Sequence, residues 1–125
     1  MDHIPYGDAL RHLHGRNTTF IAAAPVPTDS ISRLVERMGW KFPFYSSLGL
    51  FDQADKSGDE VSWRPVDGAF ALEVFFKDDN GTIYHTYETY NRGVEALLGT
   101  FALLDLTPLG RDDQGNQLRL HDEYS

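Results

Sequence analysis

The spacing of apolar residues predicts three helices. Four apolar residues occupy positions i, i+3, i+4 and i+7 of one helix face: Ile31, Leu34, Val35 and Met38. Thr28 is the predicted N-terminal cap of this helix, and Gly39 is its predicted end. Asp8 is predicted to cap a shorter helix that ends at Gly15. A third helix is predicted to begin at Asn91, and its apolar positions are Val94, Leu97, Leu98, Phe101 and Leu104.

Runs of β-branched and aromatic residues predict the strands. Residues 18–24 form a short, continuous run that starts with β-branched residues, continues with apolar ones and ends before two prolines, which is typical of a buried strand. Residues 69–76 and 82–90 flank the pair Asn80-Gly81, which predicts a β-hairpin. Strict alternation along the second hairpin strand predicts one face with Ile83, His85, Tyr87 and Thr89, and an opposite face with Tyr84, Thr86, Glu88 and Tyr90.

The remaining segments lack a strong period. Residues 40–47 are aromatic and contain Pro43, which indicates an extended edge segment in which a cis peptide bond is conceivable. Residues 49–68 mix acidic and apolar residues, and we predict a long surface loop with at most one helical turn. We assign residues 1–109 to a single domain and residues 110–125 to a polar, flexible tail. The order helix, strand, helix, strand, hairpin, helix predicts an α/β fold.

Composition and charge narrow the range of partners. The 125 residues are 41% hydrophobic and 13% aromatic, as expected of a folded domain. Eleven basic and 19 acidic residues give a net charge of −8, which disfavours nucleic acids and anionic membranes. No apolar run approaches the roughly 20 residues of a membrane helix, so we expect a cytoplasmic protein. The absence of cysteine excludes disulfides, thiolate metal sites and cysteine nucleophiles from these residues.

Several long motifs resemble one known family. They lie at 16–27 (RNTTFIAAAPVP), 37–47 (RMGWKFPFYSS), 84–93 (YHTYETYNRG), 97–111 (LLGTFALLDLTPLGR) and 121–124 (HDEY). In this order they resemble the bacterial thioredoxin-like domain-of-unknown-function family 899. The resemblance implies a thioredoxin-like sheet, and the element order matches the C-terminal part of such a fold.

The same resemblance also shows a departure. Family members are typically longer and carry an N-terminal strand and helix, often with a cysteine motif for thiol redox work. We therefore expect a shortened form without thiol–disulfide or peroxidase activity. The family has no established reaction, so it implies no catalytic residue. A missing strand and helix would leave part of the sheet uncovered, and we predict a homodimer that covers it.

Aromatic and hydroxyl side chains in two motifs form the predicted ligand site. The candidate ligand-binding residues are Trp40, Tyr45, Ser46, Ser47, His85, Tyr87 and Arg92. His85 beside Tyr87 is suited to acid–base work or to holding a polar ligand, and Arg92 at a helix start is suited to an anion. The alternatives remain open: cross-strand packing for His85, an aromatic core for residues 40–47, and an ion pair with Glu88 or Glu95 for Arg92.

The sequence spacing predicts no metal site and no cofactor. His12 and His14 are two residues apart and do not share a helix face. The acidic residues of 49–68 lack the glycine and terminal glutamate of a calcium loop. Three functions remain open: a small-molecule binding or accessory protein, a homodimeric interaction module, and a cofactor-free enzyme that uses His85 as acid or base.

Overall fold

A computed structural model describes residues 2–3, 8–61, 64, 70–111 and 119–124. Its helices and strands are, in chain order, α1 (Asp8–His14), β1 (Ala22–Ala24), α2 (Thr28–Met38), β2 (Phe44–Ser46), α3 (Leu50–Ser57), β3 (Ala71–Lys77), β4 (Ile83–Tyr90), a 3-10 helix (Asn91–Leu97), α4 (Gly99–Leu104) and a 3-10 turn (His121–Glu123). The mixture of helices with parallel and antiparallel strands confirms the α/β class.

The first half contains a strand–helix–strand unit. β1 and β2 are parallel, Ala22 pairs with Phe44 and Ala24 with Ser46, and α2 is the crossover between them. Gly39 ends α2 in the left-handed conformation with φ 66°, and its N–H donates to the Val35 carbonyl, as the sequence predicts. The predicted cap is wrong by one residue, because the N-cap is proline 27 and no side chain bonds to the free N–H groups.

The main core lies between this unit and the first helix. Its buried members come from α1, β1, α2 and the segment before β2: Leu10, Ala22, Met38, Trp40 and Phe42. The Trp40 and Phe42 rings stack with centroids 5.5 Å apart, and the Phe20 ring meets Phe42 edge-on at 5.3 Å. Burial of these aromatic side chains stabilises this half of the chain through the hydrophobic effect and ring packing.

The buried strand predicted at residues 18–24 is shorter and more exposed than expected. Only Ala22–Ala24 pair, and the Ile21 side chain is 53% exposed. The partner strand limits this length, because the ladder begins where the Ala22 N–H donates to the Pro43 carbonyl and ends where the Ser47 N–H donates to Ala24. The described residues contain no cis peptide bond, so a cis bond at Pro43 is also wrong.

The loop predicted at residues 49–68 contains a two-turn helix. α3 begins after Gly49 and ends before Gly58, and both glycines have positive φ values, 73° and 74°. Arg64 pairs with Asp55 of this helix, and its guanidinium lies over the Phe51 ring. The prediction missed the helix because its acidic residues obscure a short apolar face. Residues 62–63 and 65–69 lie outside the described part.

The predicted β-hairpin is confirmed, with one irregularity. β3 and β4 are antiparallel, and Asp78 organises the turn by accepting bonds from the Asn80 and Thr82 N–H groups. Val74 pairs with Tyr87, yet the next residue, Phe75, pairs with His85. β4 therefore has one extra residue at position 86, a β-bulge that reverses the alternation beyond it.

The helix predicted after Asn91 is broken in two. Residues 91–97 form a 3-10 helix, Leu98 has φ −88° and ψ 77°, and α4 follows. Asn91 has φ 52° and does not act as the cap; its N–H donates to the Phe70 carbonyl. Two glycines at positions 93 and 99 lower the helix propensity of this segment, although its apolar period is helical.

The end of the chain contacts the first half. The Arg37 guanidinium makes a bidentate bond to Asp122, at 2.7 and 2.8 Å. Leu120 packs against the core, and the backbone N–H and ring of His121 bond to the Asp2 carboxylate. Residues 119–124 of the predicted flexible tail are therefore held in place, while residues 112–118 lie outside the described part.

Candidate functional site

The β-bulge gives the hairpin two faces of different character. Paired residues share a face, so Glu73, Phe75, His85 and Glu88 lie together on what we term the acidic face. The opposite surface, which we term the aromatic face, carries Val74, Phe76, Tyr84 and Tyr87. Strict alternation would have placed His85 with Tyr87 and apart from Glu88. That prediction is wrong, because the extra residue Thr86 shifts the pairing by one position.

Three side chains of the acidic face converge on one point. His85 Nε2 lies 2.5 Å from Glu73 Oε2, and Glu88 contributes a third group, so that one nitrogen and two carboxylate oxygens all lie within 4.8 Å of one another. The Phe75 ring stacks on the His85 imidazole with centroids 5.0 Å apart. The imidazole is therefore held on its flat side by Phe75 and at one nitrogen by Glu73.

One oxygen of this cluster lacks a partner. The Glu73 side chain is only 12% exposed, and its Oε1 atom is buried without a hydrogen bond. Leaving a buried carboxylate oxygen unsatisfied costs free energy, about 1–3 kcal/mol or more for a charged group. A bound group that supplies a donor or a positive charge would remove this cost.

The arrangement permits two kinds of chemistry. A histidine bonded to a carboxylate accepts and returns protons readily, which is the basis of many acid–base sites. Two carboxylates around one imidazole also form a region of negative charge, which attracts cations and hydrogen-bond donors. Because Glu88 is exposed while Glu73 and His85 are half-buried or more, a ligand reaches the cluster from the Glu88 side.

The aromatic segment before β2 is separate from this cluster. Trp40 lies in the core, 5% exposed, and its indole N–H donates to Asp2. The Ser46 hydroxyl donates to the Val26 carbonyl at 2.6 Å and accepts a bond from the Leu48 N–H. Tyr45 is exposed on the short parallel sheet. These contacts give Trp40 and Ser46 structural partners, as the aromatic-core alternative predicts.

The structure thus divides the predicted site residues between two parts of the chain, the segment around β2 and the hairpin with the 3-10 helix after it. Among the described residues, no hydrogen bond, ion pair or aromatic contact joins residues 40–47, including Ser47, to the hairpin. Tyr87 lies on the aromatic face, 55% exposed. Arg92 is exposed on the 3-10 helix and bonds to Glu95 at 3.2 Å, one of the two ion pairs considered for it.

Sequence reasoning missed Glu73 and Glu88 as partners of His85. Glu73 is on the neighbouring strand, and Glu88 is three residues from His85, an odd spacing that places residues on opposite faces of a regular strand. The sequence around Thr86 does not predict the bulge, because threonine is a common residue in regular strands. Only the observed register brings the three groups together.

Ion pairs elsewhere shift carboxyl pKa values without forming a comparable cluster. A hydrogen bond from Arg111 lowers the pKa of Asp105, and Arg111 also lowers the pKa of Glu95. A hydrogen bond from Arg37 likewise lowers the pKa of Asp122. For Asp2, burial raises the pKa, but bonds from His121 and Trp40 outweigh this effect and lower it. Each of these carboxylates already has a donor.

Comparison with known proteins gives one match. The model of the family described as "Bacterial protein of unknown function (DUF899)" matches residues 1–124. Neither the curated proteins nor the solved structures include a match to the chain. Within the described residues, every helix is too short or too polar to cross a membrane.

Proposed function

The chain belongs to the DUF899 family, and we propose that it is a binding protein whose small ligand contacts the cluster formed by Glu73, His85 and Glu88. The observation that carries this proposal is the buried, unpartnered Oε1 atom of Glu73 beside the imidazole. The fold retains a buried carboxylate oxygen at a point where neighbouring side chains leave it without a donor. Such retention is typical of functional sites.

The charge of the cluster indicates the class of ligand. Two carboxylates and one imidazole present acceptors, so the ligand carries a positive charge or several N–H or O–H donors. The net charge of −8 adds a long-range attraction for cations. Phe75 and Tyr90 lie on the same face and are about half exposed, which offers apolar contact beside the charged group.

We further propose that the protein is cytoplasmic, that it is related to thioredoxin-like proteins, and that it has no thiol redox activity. The order of a parallel β1–α2–β2 unit and an antiparallel hairpin along the chain supports the thioredoxin-like relationship, while the two strand pairs form separate sheets in the described residues. The lack of cysteine in this sequence supports a role that uses no thiol chemistry.

A titration followed by nuclear magnetic resonance tests the binding function. The probes are 1,4-diaminobutane, methylguanidinium and Zn²⁺, added separately to labelled protein at neutral pH. We expect saturable shifts of the His85 ring and of the backbone near Glu73 and Glu88 with at least one probe. The variant Glu88→Gln weakens these shifts, whereas Glu36→Gln, an exposed change on α2, leaves them intact. No saturable shift with any of the three probes would refute the function.

A second candidate function rests on the aromatic face. Its four side chains are 41–58% exposed, and none of them is charged: Val74, Phe76, Tyr84 and Tyr87. A two-stranded hairpin is marginally stable unless one face is covered. We propose that a second copy of the chain covers it, because the face is uncharged and two copies meet there without the repulsion expected between acidic surfaces.

Sedimentation velocity tests this homodimer. We expect a concentration-dependent dimer for the natural sequence and a monomer for Phe76→Ser. Ile83→Ser provides the matched control, because Ile83 is similarly exposed, at 64% against 58% for Phe76, but lies on the acidic face. A monomer across the micromolar range, or a dimer that survives Phe76→Ser, would show that this face does not mediate self-association.

A further inference from the structure

We infer that the ligand of the cluster formed by Glu73, His85 and Glu88 is a divalent transition-metal ion, with Zn²⁺ as the representative ion. This inference rests on the proposed binding function and specifies its ligand. It is independent of the aromatic face and of any reaction. The distances between these three residues, their burial and their donor types support it.

The distances between the three donor atoms are close to those of a shared ion. Zinc bonds to histidine nitrogen and carboxylate oxygen are about 2.0–2.2 Å long, so two donors on one ion lie at most about 4.4 Å apart. The three donor atoms here already lie within 4.8 Å of one another. Binding of an ion requires the Glu73 Oε2 and His85 Nε2 atoms, which lie 2.5 Å apart, to separate by about 1 Å, and the exposed Glu88 side chain to approach the same point.

Burial and charge give a second, independent indication. The Oε1 atom of Glu73 is buried and has no hydrogen-bond partner. The whole Glu73 side chain is only 12% exposed. An ion bonded to this carboxylate satisfies the oxygen. Two carboxylates and a neutral imidazole carry a formal charge of −2, which a divalent cation neutralises.

The donor types select among metals. An imidazole nitrogen favours zinc and other transition metals, whereas magnesium and calcium prefer sites built from oxygen alone. Three protein donors leave a further coordination position for water or for a substrate. The stacked Phe75 ring orients the imidazole, in the way that neighbouring groups fix metal-binding histidines in other proteins.

The test uses the whole chain and a competition titration. Purified protein, freed of metal, competes with a chromophoric chelator for Zn²⁺, and Co²⁺ replaces Zn²⁺ to report the ligands by its visible absorption. We expect one Zn²⁺ per chain and little binding of Mg²⁺ or Ca²⁺. His85→Gln and Glu88→Gln each weaken Zn²⁺ binding at least about tenfold. The matched controls His12→Gln and Glu36→Gln, both exposed and outside the cluster, bind Zn²⁺ as the natural sequence does.

The outcomes separate this inference from the function on which it rests. Folding of each variant is checked by circular dichroism, and Glu88→Gln keeps the test valid if a change at a more buried residue unfolds the chain. Absence of Zn²⁺ binding, or equal binding by His85→Gln and the natural sequence, overturns the metal site. If 1,4-diaminobutane or methylguanidinium still shifts the His85 ring in that case, the binding function stands and only its metal ligand is wrong. If no probe acts on the cluster, both fail.

Discussion

Replacement of Gly93 by alanine tests how the hairpin joins the segment that follows it. A Cβ atom placed on Gly93 would lie 1.9 Å from the Thr89 Oγ1 atom and 3.2 Å from the Thr89 Cβ atom. Non-bonded carbon atoms prefer separations of about 3.5–4.0 Å. Thr89 is β-branched and has few allowed χ1 rotamers, so relief of the Oγ1 contact forces the side chain out of its rotamer or moves the backbone. Forcing an extra group into such a contact costs about 1–3 kcal/mol.

The measurement is urea unfolding followed by circular dichroism. We expect Gly93→Ala to lower the free energy of unfolding by about 1–3 kcal/mol. Gly99→Ala is the matched control, because its Cβ would have no neighbour within 4 Å and it begins α4. Alanine is a better helix former than glycine, so this change is neutral or stabilises by up to about 1 kcal/mol.

A double-mutant cycle identifies the contact responsible. In a Thr89→Ala background the Oγ1 atom is gone, and Gly93→Ala should cost less by roughly 0.5–3 kcal/mol. The reasoning is refuted if Gly93→Ala is as stable as the natural sequence. It is also refuted if the cost is unchanged in the Thr89→Ala background, because the strain would then come from elsewhere.

Three further predictions concern the first half of the chain. Phe42 is a core residue that is only 3% exposed, so Phe42→Ala should lower the free energy of unfolding by about 3–5 kcal/mol in the urea assay. Leu106 is 83% exposed, so the control Leu106→Ala should change this free energy little. Ser46→Ala should cost about 1 kcal/mol in that assay and leave probe shifts at the hairpin unchanged, since its hydroxyl bonds to backbone. The pKa of Asp122 is lowered by its bond to Arg37, so the stability from this pair is present above the ordinary pKa of 3.8 and is lost as the pH falls below it. Arg37→Gln should therefore flatten the acid limb of the stability–pH curve, and an unchanged limb would contradict the assignment.

The local pattern of the sequence determines much of the fold. The period of four apolar residues, closed by Gly39, is sufficient for α2, because a glycine with positive φ ends a helix wherever the chain must turn. Asn80-Gly81 between two β-rich runs is sufficient for the hairpin. Both elements depend on interactions within a few residues, which a single sequence displays directly.

Other elements depend on partners distant in the chain, and there the predictions were less accurate. The length of β1 is limited by β2, which pairs with only Ala22–Ala24. The continuous helix expected after Asn91 is broken at Leu98, although the apolar period is undisturbed, because the glycines at positions 93 and 99 lower the helix propensity of the segment. The apolar period alone does not show this break, because it reports which residues face the core and not whether the backbone stays helical.

The candidate site depends both on local sequence, which forms the hairpin strand, and on pairing with a distant strand. The sequence by itself identified His85 as a residue of interest and placed it on a hairpin strand. Only the tertiary structure brought it to Glu73 and Glu88, because one extra residue at position 86 changes which side chains share a face. A side-chain period of two makes every face assignment sensitive to a single insertion in the pairing, and the pairing is decided by contacts between strands rather than within one.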